Sequence, residues 1–379
     1  MKLSKSLLSC IILICSYNLG QAHPDDYIDK DDISFEKIEV PFYQFEEYTL
    51  QAVLRMPYAG YDIDSPDAWL KVSERNVPYE VELVFTKYPE DFSRWRTNYE
   101  ELFANRIDTL IKLDSAFLNP NVKWKMVLQT QCKTEAQALR YFHGFVIKYK
   151  PKKQRILKEV RSPEDLHGLM VGSYLPYDST VIKVIDRHPE WKNMLVVMDW
   201  TGSMYQYGVQ LVLWHRHNLE NDTANRVSHL IFFNDGNRKR TPNKQIGKTG
   251  GIYYTSPENI GNVVRTMENV MRKGSGGDIP ENDLEAVIKG ISLLESYDEI
   301  ILIADNKSSV RDLELLDQIE HPIHVILCGG TPENVNKDYV QIAQATGGSL
   351  QLMDQEVPLE EEKPEPDQQV VLKSESVEK

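Results

Sequence analysis

Three side chains that carry oxygen follow directly on a short apolar run near the middle of the chain. The run is Met194–Met198, and Asp199, Thr201 and Ser203 come immediately after it. A short, wholly apolar run predicts a buried parallel strand, and open α/β sheets bind ligands at the carboxyl ends of such strands. Carboxylate and hydroxyl oxygens are the ligands that a hard cation such as Mg2+ prefers. The simpler interpretation is a strand-to-helix turn in which Ser203 caps the helix.

Two later segments strengthen the interpretation as a metal site. Ile300–Ala304 is a second apolar run, and it ends in an acid, Asp305. Between the two runs lies Gly274–Glu281, a glycine-rich loop that contains Asp278 and opens a predicted helix. The chain therefore has two strand-terminal acids and an acidic glycine-rich loop, in an order that suits one shared site.

These three segments resemble the von Willebrand factor A domain family. That family carries Asp-x-Ser-x-Ser after its first strand, a Thr or Gly-Gly-Asp-x-Pro-Glu loop, and a later strand-terminal Asp. The resemblance covers about residues 190–354 and includes the order and spacing of the segments. It implies an α/β fold with a doubly wound, mostly parallel, Rossmann-like sheet and a metal-ion-dependent adhesion-type site. The ligands that it implies in this sequence are Asp199, Thr201, Ser203, Asp278 and Asp305.

The resemblance also implies the cofactor and the kind of partner. The expected ion is Mg2+, with Mn2+ or Ca2+ as alternatives, and an open coordination position accepts an acidic side chain of a protein partner. Asp278 takes the place that Thr usually holds, so we expect a net negative site that binds cations well but attracts a partner carboxylate less. Asn306 follows Asp305 where the family usually has Gly, and Asn tolerates the left-handed backbone that such a turn can require.

Two other functions remain open at this point. Asp199-Trp200-Thr201-Gly202-Ser203 also resembles the nucleophile loop of haloacid dehalogenase-type phosphatases, in which an Asp attacks phosphorus beside Mg2+. Such enzymes need a second carboxylate near the later strand end, whereas the nearest one after Asp305 is Asp312. The third interpretation is a scaffold domain that binds no metal. We expect a binding protein rather than an enzyme.

Charge and the first residues bear on partners and location. The chain has 379 residues and a formal charge of −14, so nucleic acid and anionic membranes are poor candidates for the main partner. Residues 1–22 resemble a secretory signal peptide, whose loss removes Lys2 and Lys5 and gives −14 − 2 = −16. We expect export to the periplasm, the cell surface or the medium. The alternative is a lipid anchor at Cys15. No later segment has the length and apolar character of a membrane span.

The pattern of elements predicts two domains. Residues 33–150 are expected to form a smaller α+β domain, with a strand at Val77–Lys87 and a helix at Asp91–Leu113. Residues 151–189 are predicted to be a connector, and residues 355–379 a disordered acidic tail. Strands and helices alternate over residues 190–354, which is typical of a parallel sheet with helices on both faces.

Individual elements of the second domain follow from apolar runs and end signals. Strands are predicted at Val227–Phe233 and Gly251–Tyr254, and later ones at Ile323–Leu327 and Ser349–Met353. A helix at Pro257–Arg272 is predicted to be capped by Ser256, and Gly347 is expected to end the helix before the last strand.

Overall fold

A computed structural model describes residues 27–89, 97–220, 226–276 and 279–359. The predicted signal peptide, Cys15, the start of the helix expected at Asp91–Leu113, Asp278 and most of the predicted tail lie outside these ranges. None of the helices in the described ranges has the length and apolar character needed to cross a membrane.

The first sheet has five strands. Their ranges are β1 Phe35–Val40, β2 Gln51–Arg55, β3 Asn76–Thr86, β4 Lys123–Gln129 and β5 Gly144–Pro151. The spatial order is β1-β4-β3-β5-β2; β1, β4 and β3 run parallel, and β5 and β2 are antiparallel to their neighbours. The helices of this part are α1 Asp67–Ser73, α2 Tyr99–Leu113 and α3 Glu135–Ala138.

One face of the first sheet is covered by α1 and α2. Phe103, Ile107 and Leu110 recur at helical spacing along α2 and are buried in the same core as Trp69 of α1. Asn98 caps α2, since its side chain accepts a hydrogen bond from Glu101 N at 3.2 Å. This amphipathic stripe positions α2 across the sheet.

The segment 151–189, predicted to be a connector, contains regular elements that belong to the second core. Strands β6 Arg155–Leu157 and β7 Tyr174–Pro176 form a small parallel pair, and helices α4 Pro163–Met170 and α5 Thr180–Arg187 lie beside it. Apolar side chains of both helices are fully buried in the core of the second sheet. The segment therefore forms part of the second core rather than a plain connector, because its two helices are short but amphipathic.

The second sheet has six strands and is mostly parallel, as the sequence predicts. Their ranges are β8 Met194–Asp199, β9 Val227–Phe233, β10 Ile252–Thr255, β11 Glu299–Asp305, β12 Ile323–Cys328 and β13 Ser349–Gln351. The spatial order is β10-β9-β8-β11-β12-β13, and only β10 is antiparallel to its neighbour. The helices that follow are α6 Tyr205–Glu220, α7 Ile260–Lys273, α8 Asp283–Ser292 and α9 Lys337–Thr346.

Both faces of the second sheet carry helices. Alternate residues of β8 point to opposite sides: Val196 joins a core with α4–α7, and Val197 joins a core with α8 and α9. All six residues of β8 are buried. The protein is therefore a mixed α/β protein with a three-layer, Rossmann-like second part.

The helix ends agree with the sequence only in part. Gly347 ends α9 in a left-handed conformation, with φ 70°, as expected. The helix predicted from Pro257 begins instead at Ile260, and Asn259 rather than Ser256 caps it by accepting a hydrogen bond from Asn262 N at 2.9 Å. Asn is as good a cap as Ser and stands later, so the helix starts there.

The two parts of the chain meet through the loop between β1 and β2. Glu47 forms an ion pair with Arg265 of α7 at 2.7 Å. Arg216 of α6 donates hydrogen bonds to the backbone oxygens of Tyr48 at 3.3 Å and Met170 at 2.9 Å.

Candidate metal centre

Asp199 and Asp305 lie at the point where the strand order of the second sheet reverses. From β8 the chain builds outward through β9 to β10, and then crosses to the other side of β8 at β11. The carboxyl ends of β8 and β11 therefore border the crevice that α/β proteins commonly use for ligands. Asp199 is the last residue of β8, and Asp305 is the last residue of β11.

Asp199 is fully buried, and its carboxylate is only half satisfied. Its Oδ1 accepts a hydrogen bond from Thr201 N at 2.9 Å, whereas Oδ2 has no hydrogen-bond partner. Burial, with smaller contributions from the carboxylates of Asp305 and Asp235, raises the pKa of Asp199 to about 7. Any cation beside Oδ2 would favour the charged form of this group.

Thr201 and Ser203 occupy different depths of the same loop. Thr201 is 5% exposed and its hydroxyl has no hydrogen-bond partner, whereas Ser203 is exposed on the short 3-10 turn Gly202–Met204. The backbone N–H of Gly202 donates to Ser275 O at 3.1 Å. The start of the glycine-rich loop thus lies against the first loop.

Tight packing holds the glycine-rich loop in this position. Gly276 has a φ of +81°, and a β-carbon there would lie 3.0 Å from Cγ2 of Thr201. Asn234, which follows β9, donates from Nδ2 to Gly274 O at 2.9 Å. Asp278 lies outside the described residues, so its place in the site stays a prediction.

Asp305 is 7% exposed, and its Oδ1 accepts a hydrogen bond from Lys307 N at 3.0 Å. The turn after Asp305 does not require the left-handed backbone that Asn tolerates, since Asn306 is not among the residues with positive φ. Instead the Asn306 side chain donates to Asn334 O and accepts from Asn336 N, both at 2.9 Å. Through these hydrogen bonds, Asn306 connects the loop after β11 to the loop after β12.

Asp235 is a strand-terminal acid that sequence reasoning missed. It follows β9, is fully buried and has a φ of 53°. Its carboxylate pairs with the buried ammonium of Lys244 and with Arg311 at 3.3 Å. A weaker signal was present, because Asp235 stands two residues after the apolar run that ends at Phe233, whereas Asp199 and Asp305 follow their runs directly.

Glu281 and Asn282 form a second group that sequence reasoning left without a role. Glu281 is 3% exposed and its Oε2 has no hydrogen-bond partner; Asn282 is fully buried and neither polar atom of its amide has one. Burial, followed by the carboxylates of Asp199, Asp235 and Asp283, raises the pKa of Glu281 to about 11. Asp199 is thus the strongest acidic neighbour of Glu281. No pattern in the sequence indicates that these side chains point inward.

The unpartnered oxygens at this edge fit a hard cation. Among the described residues they are Asp199 Oδ2, Thr201 Oγ1, Glu281 Oε2 and Asn282 Oδ1. Buried polar atoms of folded proteins almost always have a partner, so several such oxygens on neighbouring loops need an explanation. Carboxylate, hydroxyl and amide oxygens are the donor set of Mg2+ and Ca2+.

The described residues contain one compact acidic triad, and it lies on the first sheet. Carboxylate oxygens of Glu46, Glu80 and Glu82 fall within 4.8 Å of one another. The ammonium of Lys148 contacts all three, with Glu80 at 2.7 Å and Glu82 at 3.0 Å. Burial alone would lower the pKa of Lys148, but the three carboxylates raise it overall. A metal ion would have to displace this ammonium, so the triad is a poorer metal site than the edge of the second sheet.

Comparison with known proteins assigns no family to the chain. No family model matches it, and neither a curated protein nor a solved structure does.

Proposed function

We propose that residues 190–354 form a von Willebrand A-like domain that binds a divalent cation and mediates contact with another protein. The expected ion is Mg2+, with Mn2+ or Ca2+ as alternatives, held by Asp199, Thr201, Ser203, Asp278 and Asp305. The observation that carries the proposal is the buried Asp199 Oδ2, which has no hydrogen-bond partner, with the buried Thr201 hydroxyl beside it, at the point where the strand order reverses. We further propose that the chain is exported.

Each residue has a distinct part in this proposal. Asp199 supplies negative charge from the interior, and Thr201 supplies a neutral oxygen beside it. Asp305 brings a second carboxylate from the far side of the crevice. These acids repel one another without a cation, so a bound ion would stabilise the fold by mass action.

The depth of the side chains supports a role in protein contact. Asp199 and Thr201 are buried, whereas Gly202, Ser203 and Ser275 are exposed at the same edge. Ile279, which lies within the glycine-rich loop, is 70% exposed. An ion held here would have protein oxygens on its inner side and an outer side open to an acidic side chain of a partner.

Calorimetry of Asp199→Ala tests the metal site. We expect the heat of Mg2+ binding to disappear while the far-ultraviolet circular dichroism stays native, because Asp199 supplies the main buried charge. Asp298→Ala is the matched control, since Asp298 is an exposed acid just before the opposite end of β11. It should bind Mg2+ as the unchanged protein does. Undiminished binding by Asp199→Ala would refute the site.

The phosphatase-like alternative has less support. A nucleophile must reach phosphorus, yet Asp199 has no exposed surface. Such enzymes also need a lysine, and Lys244 is already paired with Asp235. In the same preparations, steady hydrolysis of an aryl phosphate that is lost in Asp199→Asn would favour the hydrolase. We expect no turnover.

A further inference from the structure

Arg106 is a buried cation that has no acidic partner in the described parts of the chain. It lies in the middle of α2, is 2% exposed, and its Nε and Nη1 atoms have no hydrogen-bond partner. Burial lowers the pKa of its guanidinium, and the one group that opposes this is the Tyr61 hydroxyl. Because burying a charge costs its hydration, buried arginines normally pair with a carboxylate or another anion.

Two aromatic rings account for part of this environment. The guanidinium carbon of Arg106 lies 4.8 Å from the centroid of the Phe85 ring and 6.0 Å from that of Tyr61. Such cation–π contacts compensate some of the charge. They do not supply the acceptor oxygens that Nε–H and Nη1–H need.

The position of Arg106 in the fold favours a ligand. Phe85 is the next-to-last residue of β3, so Arg106 lies at the carboxyl edge of the parallel strands β1, β4 and β3. This is the edge at which α/β sheets bind small molecules. The first sheet therefore presents an unpaired cation where ligands commonly bind.

A second basic group lies at the same edge. His143 immediately precedes β5 and is 5% exposed, and its Nε2 lies 2.9 Å from Ala138 O and 3.2 Å from Thr86 Oγ1. Burial lowers the pKa of His143, and the charge of Arg106 lowers it further. No described carboxylate affects the pKa of either group. His143 is therefore uncharged near pH 7, and the positive charge at this edge is that of Arg106.

We propose that this edge of the first sheet binds an oxyanion, the phosphate or carboxylate group of a ligand, through the guanidinium of Arg106. The planar donors of arginine match the oxygens of such groups. Tyr61, which is 45% exposed, forms the outer wall, and the anion reaches the guanidinium past this ring. The site is independent of the metal centre on the second sheet.

Thermal unfolding of the full chain in three sodium salts at matched ionic strength tests this site. Because phosphate strengthens apolar burial in any protein, the test is a comparison of variants: we expect the rise in Tm over chloride, in phosphate, acetate or both, to be smaller in Arg106→Met than in the unchanged protein. In chloride, Arg106→Met should unfold at the same or a higher temperature, since it removes an unpaired buried charge. Arg75→Met, the same change at an exposed arginine, should keep the salt difference.

The salts also distinguish the two sources of the oxyanion. A response to phosphate alone indicates a phosphate-bearing ligand, and a response to acetate alone a carboxylate-bearing one. Equal Tm values of the unchanged protein in all three salts, or a rise in Tm that is as large in Arg106→Met as in the unchanged protein, would overturn the proposal.

A second variant covers the case in which Arg106→Met does not fold. Arg106→Lys keeps the charge but loses the planar donors, and should bind phosphate or acetate roughly tenfold more weakly. The Nε–H resonance of Arg106, assigned by its loss in this variant, should shift as the anion is added. A resonance that does not move during the titration would count against the site.

Discussion

At the scale of single residues, the carboxyl group of Glu281 bears on the charge of the proposed metal centre. It is buried, it has an oxygen without a partner, and Asp199 is its strongest acidic neighbour. A cation bound beside Asp199 would therefore also attract Glu281. The sequence predicts Asp199 and Asp305 as ligands from their place after apolar runs, but nothing in it predicts that Glu281 points inward.

Glu281→Gln should separate cation binding from folding. The pKa of Glu281 is raised to about 11, so without metal the group is neutral at pH 7 and Gln resembles it in shape and charge. We expect nearly unchanged stability in EDTA but roughly tenfold weaker Mg2+ binding, because a charged oxygen is lost. Calorimetry and urea unfolding measure the two effects.

Glu295→Gln is the matched control, since Glu295 is exposed beyond the end of α8. It should change neither quantity. If Glu281→Gln bound Mg2+ as tightly as the unchanged protein, Glu281 would not contribute to the site.

At the scale of secondary structure, apolar runs located the strands of the second sheet well. Val227–Phe233 is predicted and observed with the same ends, and its last four residues, Leu230–Phe233, are an unbroken apolar stretch that is buried throughout. The same reasoning missed β1, Phe35–Val40, in which Glu36, Lys37 and Glu39 interrupt the apolar residues at the edge of the sheet. Edge strands often carry charged side chains, and these interrupt the apolar pattern by which strands are predicted.

The helices α4 and α5 were missed for a different reason. Each has eight residues, and their sequence contains charged residues that a composition-based reading assigns to a linker. Short helices such as these are stabilised mainly when their apolar side chains pack against a sheet, and the sequence does not show which sheet that is. The candidate site shows the same limit: strand ends place Asp199 and Asp305, whereas packing of loops places Asn282.

Asp312 links α8 to the loop after β11 and makes the stability of this helix depend on pH. Its carboxylate accepts hydrogen bonds from Leu284 N at 3.3 Å and Glu285 N at 2.6 Å at the start of α8. Burial nevertheless raises its pKa from 3.8 to about 6. The folded state therefore binds this proton more tightly than the unfolded state. The resulting stabilisation is complete below pH 4 and is lost as pH rises through 6.

Asp312→Asn should remove this pH dependence, because its amide does not ionise, while its single oxygen can still accept one of the two hydrogen bonds from the helix. Relative to the unchanged protein, the variant should gain roughly 2 kcal/mol in unfolding free energy between pH 4.5 and 7.5. Urea unfolding in EDTA measures this without changes in cation occupancy. Asp317→Asn, at an exposed neighbour, should behave as the unchanged protein. Equal slopes for Asp312→Asn and the unchanged protein would contradict the assignment.

At the scale of the whole molecule, two different sites are proposed on two sheets, and both are at carboxyl edges of parallel strands. The centre on the second sheet gathers acids, whereas the edge of the first sheet gathers Arg106 and His143. The loop that carries Glu47 and Tyr48 joins the two parts by contacts with α6 and α7 rather than with either site. Losing one site should therefore leave the other intact.

The burial of α4 and α5 in the second core determines where the chain can be divided. A recombinant fragment beginning at residue 190 would leave out Leu166, Met170, Val184 and Ile185, all of which are fully buried in the core that also holds α6 and α7. The apolar surface they cover would face water, and we expect the fragment to aggregate. A fragment beginning at residue 155 keeps both helices and should elute as a single soluble species in gel filtration. The unit that folds by itself thus starts well before the first strand of its sheet.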